Sequence, residues 1–385
     1  MPARLSNRSR LVSQSEIRSM TIACAKAGGI NLAQGVCDLT VPDPVIRGAV
    51  QAMHEGYNTY TRFDGLPELR EAISRRMEAD YGLNVDPEGE IVVSAGATGA
   101  FYATALALFN PGDEVIVFEP GYGYHATTLA ALDVRTSVVR LAPPHWSFNE
   151  RQLHDAASDR TRGIVINTPG NPTGKVFTRA ELERIADFAV KRDLTVITDE
   201  IYEHFVYDGL SHVPPATLSE LADRTVTISG FSKIYSITGW RLGYAICPPE
   251  LARAIGHFSD LVYVCAPAPL QIGATRGLIS LPPEYYREVA REHGRKRDRF
   301  CQALTSAGLA PHVPQGAYYA LADISRLPGD TGRDRAMFLL EETGVACVPG
   351  EAFVSDPLAR NLGRFCFAKK WPELEDACRR LEALA

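Results

Sequence analysis

Between Glu90 and Cys247 the chain repeats one pattern, a short run rich in valine and isoleucine followed by an amphipathic stretch with helical spacing. "EIVVSAG" leads into "ATGAFYATALALFN", and "DEVIVFEP" into "GYGYHATTLAALD". "GIVINTP" precedes "TRAELERIADFAVKRD", and "TVITDE", "TVTISG" and "RLGYAIC" follow in turn. Apolar runs without alternation are strands buried on both faces, and strands separated by helices pair in parallel. The pattern predicts an α/β architecture, a mostly parallel sheet covered by helices. Right-handed crossovers then put the strand C-terminal ends along one rim, where ligands bind in such sheets.

The last third reads differently. "EYYREVAREHGRKRDRFCQALTSAG" is a long, charged, amphipathic helix able to bridge two domains. "GAYYALADI", "VACVPG" and "GRFCFA" are short strands, and "PELEDACRRLEALA" closes the chain as a helix. The reading is a large domain over residues 45–285 and a smaller α+β domain formed by 1–44 with 286–385. A chain of 385 residues has length for both.

Charge narrows the function. The net charge is -6 and there is no Lys/Arg-rich run, so nucleic acid is not an expected partner. The start, "MPARLSNRSRLVSQSEIRSM", lacks a signal peptide's apolar core, and no apolar stretch reaches the roughly 18 residues that span a bilayer. Eight cysteines are scattered without a CxxC pair, several in apolar runs such as "YAICPP". They read as buried free thiols in a reducing cytoplasm rather than as a disulfide framework or a metal site.

Four segments carry polar residues that a core would not choose. In "SAGATGAF" a strand turns into a helix through Gly96 and Gly99, so backbone N–H groups and the helix dipole can meet an anion, with the Thr98 hydroxyl beside them. "NTPGNPTGKVF" is an irregular loop after a strand. It is not a P-loop, because Gly170 and Gly174 enclose three residues rather than four and Val176 stands where Ser or Thr is needed. Its Asn171, followed by Pro172, suits a fixed side-chain donor. In "TVITDEIYE", Asp199 ends an apolar strand, where an ionised acid needs a partner. That partner can be a protonated ring nitrogen, with Tyr202 as a phenolic donor nearby. In "SGFSKIYSITGWRLGY", Lys233 stands among small and apolar residues with Arg241 eight positions on. A confined lysine near another cation has a lowered pKa and becomes a nucleophile able to form a Schiff base, while Ser232 and Arg241 can hold a phosphate. Taken singly each segment also suits a structural role: a turn, a loop cap, or a lysine tied to a core acid. Together they supply an anion cradle, an acid for a ring nitrogen, donors for a ring oxygen and an amine, which is what pyridoxal 5'-phosphate (PLP) requires.

The ordered set "NPTG", "DEIY", "SK" and "TGWRLGY" resembles the class I/II aminotransferases of the fold-type I PLP-dependent enzymes, from about residue 15 to the C-terminus. The resemblance implies a large PLP-binding domain with a mostly parallel seven-stranded sheet. It implies that Lys233 carries the cofactor as a Schiff base, that Asp199 pairs with the ring nitrogen, and that Asn171 and Tyr202 touch the ring oxygen. It further implies that Gly96, Ala97, Thr98, Ser232 and Arg241 hold the phosphate and that Tyr122 of "EPGYGYH" stacks on the ring. "YTRFDGLPELREAI" is similar to a family segment whose tyrosine reaches the partner subunit's phosphate, which implies a homodimer with Tyr60 crossing the interface. Arg62 stands there where proline is common. Gly230 replaces a frequent phosphate-binding serine, so that contact is either lost or supplied by Ser229 or Ser232, and Val354 replaces a glycine in "VPGEAFV". "LGRFCFA" implies that Arg364 grips the substrate α-carboxylate, helped by Asn171 and the Gly35 backbone. "SEIRSMT" is similar to the start of kynurenine/α-aminoadipate aminotransferases, where the arginine, here Arg18, reaches the substrate side chain.

The activity implied is a ping-pong transfer of an amino group from an L-amino acid to a 2-oxo acid. A PLP lyase or synthase, of the C–S lyase kind, shares the cofactor site and is the competing enzyme reading. A transcription regulator on this fold needs an N-terminal DNA-binding module, for which the residues before Ile30 leave no room. Tyr124, His125, Tyr318 and Tyr319 suggest an aromatic-lined substrate pocket, although the tyrosines of "GAYYA" suit a core equally well.

Overall fold

The computed structural model describes residues 5–384. Its strands, in chain order, begin with β1 (Ile30–Asn31), β2 (Ile91–Ala95), β3 (Glu114–Glu119) and β4 (Arg135–Arg140). They continue with β5 (Thr161–Asn167), β6 (Thr195–Asp199), β7 (Thr225–Gly230) and β8 (Leu242–Ile246). The last are β9 (Ala310–His312), β10 (Tyr319–Asp323), β11 (Val345–Ala346), β12 (Val348–Pro349) and β13 (Leu362–Cys366).

A seven-stranded sheet runs in the order β2-β8-β7-β6-β5-β3-β4. β3 through β7 pair in parallel, while β8 is antiparallel to both of its neighbours. The six apolar runs read from the sequence are six of these strands. The seventh, "RTSVVR", is the polar edge strand β4, with only Val139 buried, so it shows no apolar run. Along β3, Ile116 and Phe118 join one core cluster and Val115 and Val117 another. The period of two thus feeds a core on each face of the sheet, as a doubly covered sheet requires.

The C-terminal strands form a second sheet, β12-β13-β10-β9, antiparallel throughout. "VACVPG" splits in two: β11 pairs in parallel with β1 near the N-terminus, while β12 joins β13. The 24-residue helix Pro283–Ser306, about 36 Å long at 1.5 Å per residue, connects the two sheets. At its start Tyr285 donates to the Ile234 carbonyl (2.7 Å) beside Lys233, and Tyr286 shares a hydrogen bond with Tyr235 (2.8 Å). Its buried Phe300 and Leu304 lie in the core that also holds β10 and β13 residues. The segment from Leu32 to Asp38 is tied to the end of β13 by Cys366 N–H to Leu32 O (2.7 Å) and Asp38 N–H to Ala368 O (3.1 Å). That tie sets Gly35 in the cleft between the sheets. All eight cysteines are free; seven are buried as expected, and Cys265 is part-exposed.

Candidate active site

Pairing register places the key strand ends side by side. Asn167 of β5 lies opposite Asp199 of β6, and Gly230, the end of β7, lies opposite Gly243 of β8. Because β8 runs backwards, its first residues reach the rim where the others finish, and this brings Arg241 to the turn after β2. A cavity of about 550 Å³ opens along that rim. Its walls include Lys233, Asp199, Tyr202, Asn171, Arg241 and Ser232 from the large sheet, and Tyr319 and Arg364 from the second sheet. Ala97, Thr98, Tyr122, Gly35 and Arg18 line it as well.

Lys233 sits in a turn closed by Tyr235 N–H to Phe231 O (3.1 Å) and Ile237 N–H to Ser232 O (3.1 Å). Its Nζ donates to the Gly35 carbonyl at 3.1 Å. Burial pushes its pKa down to about 8, with Arg241 and Arg364 adding to the fall and the neighbouring thiols Cys366 and Cys37 opposing it. About a tenth of such an amine is neutral at pH 7, against fewer than about one in a thousand for an ordinary lysine.

Asp199 is held on both sides. Its Oδ2 lies 3.0 Å from His125 Nε2, and its carbonyl accepts from Asn167 Nδ2 at 2.9 Å. Asn167 Oδ1 also accepts from the Asn171 N–H (2.7 Å), and the loop is closed by Gly170 N–H to Lys175 O (2.8 Å). Lys175 is itself anchored by the buried Glu181 at 2.7 Å. These bonds make the glycine- and proline-rich loop rigid. Asn171 Oδ1 in turn accepts from Arg364 Nη1 at 3.0 Å.

Arg364 is 1% exposed, in the middle strand β13, with its guanidinium over the rings of Tyr319 (4.4 Å) and Phe353 (4.8 Å). Nη2 donates to the Ala33 carbonyl, while Nε is buried with no partner. A buried guanidinium with a free N–H is a ready carboxylate site. Tyr202 is buried and its hydroxyl lies 2.7 Å from that of Tyr319. Burial drives its pKa upward, with Tyr319 next in effect, so it stays a protonated donor.

The turn put forward as a phosphate cradle depends on a missing atom. Gly96 has φ +75°, and a Cβ there would lie 2.7 Å from the Arg241 guanidinium. The glycine keeps that space open in front of the N-terminus of the helix Gly96–Leu108. Arg241 is itself left-handed (φ 57°), its Nη1 donating to the Thr238 carbonyl at 3.0 Å. Of the two serines proposed to replace the one absent at 230, Ser232 lines the cavity, whereas Ser229 donates to Glu203 at 2.8 Å and faces away. The cradle, the acid, the amine and the open guanidinium fit PLP and an amino acid.

Two expected residues stand apart. Tyr60 is 83% exposed and outside this cavity, and Tyr318 lies behind it, donating to the Gly35 carbonyl at 3.3 Å. Sequence reading gave His125 and Tyr319 only as aromatic lining; their pairing with Asp199 and Tyr202 is a product of the fold. Arg18 lies at the mouth on the helix Glu16–Ala27, where Ser15 shares a hydrogen bond with Tyr124 (3.2 Å).

Residues 27–381 match the family described as aminotransferase class I and II. The chain belongs to that family. An aspartate aminotransferase of Pyrococcus abyssi is 34% identical over 98% of this chain and 97% of its own. A methionine aminotransferase of Escherichia coli is 33% identical over 92% of each. The solved structure of N-succinyldiaminopimelate aminotransferase from Mycobacterium tuberculosis superposes with a TM-score of 0.95 at 34% identity, covering both chains entirely. The class I and II aminotransferases are PLP-dependent, act on amino and oxo acids and are typically dimeric. This chain is accordingly a PLP-dependent aminotransferase of fold-type I, and the named relatives do not favour the lyase reading. No helix among the described residues is long and apolar enough to cross a membrane.

Proposed function

We propose that the cavity at the strand ends is the transamination site and that Lys233 is both the residue that holds PLP and the base that moves the substrate proton. The observation that carries this is the Lys233 amine, poised near pKa 8 between Arg241 and Arg364 with its hydrogen bond made to a carbonyl. Gly96, Ala97, Thr98, Ser232 and Arg241 hold the phosphate, Asn171 and Tyr202 the ring oxygen, Asp199 the ring nitrogen, and Tyr122 a ring face. When bound, PLP supplies an aldehyde for amines and an electron-withdrawing ring that takes up the charge left on the substrate α-carbon.

The chain supplies the rest. Arg364 grips the α-carboxylate through its unpartnered Nε, with Asn171 and the Gly35 backbone beside it, which orients the α C–H bond. The neutral amine of Lys233 takes the α-proton and redelivers it within the site. Asp199, 3.0 Å from His125 Nε2, is held in place to meet the ring nitrogen. The donor leaves as a 2-oxo acid before an acceptor oxo acid enters the same site, a ping-pong order.

Arg18 is the cation of the cavity wall left without one of these roles, and it places a second carboxylate of the substrate at the mouth. Aspartate and N-succinyldiaminopimelate, named for two relatives, both carry one. The assembly is a homodimer in which Tyr60 reaches the partner's phosphate, and the unpaired thiols fit a reducing cytoplasm. Lys233→Ala is expected to abolish both turnover and the visible absorption of bound PLP, and borohydride reduction with peptide mapping of the native enzyme to place the label on Lys233. A label on any other residue would refute the assignment.

A further inference from the structure

We infer that Tyr319 is a positioning residue that fixes the direction in which the Tyr202 hydroxyl donates. The inference rests on the reading of Tyr202 as a donor to the ring oxygen of the cofactor. The two hydroxyls are 2.7 Å apart and both residues are buried, 2% exposed for Tyr319 and 4% for Tyr202. A phenol has one proton, so at that distance one hydroxyl donates and the other accepts. If Tyr202 donated to Tyr319, it would have nothing left for the cavity.

The surroundings choose the donor. The Arg364 guanidinium lies over the Tyr319 ring at 4.4 Å, and a cation on the ring face withdraws charge from the phenol and strengthens it as a donor. Tyr202 faces Lys233 at 5.9 Å, a weaker neighbour. Burial raises both phenols; the Arg364 charge, with the hydrogen bonds shared with Tyr202 and Tyr318, opposes the rise at Tyr319, and no cation opposes it at Tyr202 to a comparable degree. The other titratable groups around the pair are Tyr318, Tyr122, Asp199 and Cys366. The more acidic phenol donates, so Tyr319 gives its proton to Tyr202 and leaves the Tyr202 proton directed into the cavity. The close approach of Gly35 fits this role, because a side chain at 35 would occupy the place of the Tyr319 hydroxyl.

The test is a pH titration of the visible absorption of bound PLP in four holoenzymes: native, Tyr202→Phe, Tyr319→Phe and the double variant. Phenylalanine keeps each ring and its packing and removes only the hydroxyl. A donor to the ring oxygen stabilises the deprotonated form, so its loss raises the apparent pKa of the band. Tyr202→Phe is expected to raise it by about one unit and Tyr319→Phe by roughly half a unit. The double variant is expected to match Tyr202→Phe alone, since Tyr319 acts only through Tyr202. A shift in Tyr202→Phe with none in Tyr319→Phe, or shifts that add in the double variant, would overturn the role of Tyr319 and leave Tyr202 in place. No shift in either would overturn the reading of Tyr202, and this inference with it.

Discussion

Lys233 shows how much of a residue's chemistry lies in its surroundings. Its pKa is lowered by burial and by two arginines, Arg241 just before β8 and Arg364 of β13, and this has a direct consequence for cofactor capture. The rate at which the cofactor-free enzyme takes up PLP should climb about tenfold per pH unit up to pH 8 and level off above it. A stopped-flow series from pH 6 to 10 checks this, and a rate still climbing past pH 9 would mean an ordinary lysine. The same shift affects stability. The folded lysine loses its proton near pH 8 and the unfolded one near 10.5, so between them the unfolded chain binds more protons, and this group makes the cofactor-free fold more stable as pH rises. Lys233, Asp199 and Asn171 were legible because each sits in a short contiguous motif. His125 and Tyr319 were not, since their partners lie 74 and 117 residues away and no local pattern joins them.

At the scale of elements, the turn from β2 into the helix Gly96–Leu108 is the most exposed to a single change. Alanine at 96 would hold a left-handed φ at a cost of about 1–2 kcal/mol and push its Cβ against Arg241. Gly96→Ala is expected to weaken PLP binding about tenfold or more with little change in helix content, measured by fluorescence titration and circular dichroism; unchanged affinity would show that the cradle lies elsewhere. The apolar runs made six strands readable, because full burial leaves a clear signature. β4 was hidden by its polar edge position, and "VACVPG" concealed a change of sheet between Ala346 and Val348. A strand's partner is a long-range matter that two residues cannot encode.

The whole molecule presents an apolar face that one chain leaves uncovered. Ile46, Val50 and Met53 line the outside of the helix Asp43–His54 with spacings of four and three, and Leu261, Val262 and Ile279 are exposed as well. Tyr60, 83% exposed, follows that helix closely in sequence. Scattered apolar side chains are ordinary on a surface, but a helical stripe of this kind marks a contact. Val50→Asp combined with Leu261→Asp should leave the fold intact, because both sites face solvent in the single chain. If the proposed homodimer uses this face, the double variant should be a monomer by light scattering and bind PLP about tenfold or more weakly through loss of the proposed contact from the partner's Tyr60. A variant that stays dimeric places the interface on another face. Arg18→Gln belongs to this scale too, since the N-terminal helix Glu16–Ala27 contributes Ile17, Arg18 and Thr21 to the cavity wall. It should raise KM for a dicarboxylic substrate about tenfold and leave that for a monocarboxylic one nearly unchanged, by steady-state kinetics.

By itself the sequence determined the layered α/β plan and the strand ends on which polar residues collect, and it put forward an amine, an acid and an arginine as candidates for the site. Burial periodicity and short motifs are local, and local patterns survive in a linear string. Only the tertiary structure decided what those residues face: Asp199 on His125, Tyr202 on Tyr319, and Arg364 between two rings with one N–H free. Those pairings join the end of β6 to the helix that follows β3, and the loop after β6 to the second sheet. Packing brings such distant residues together, and packing is a property of the folded chain.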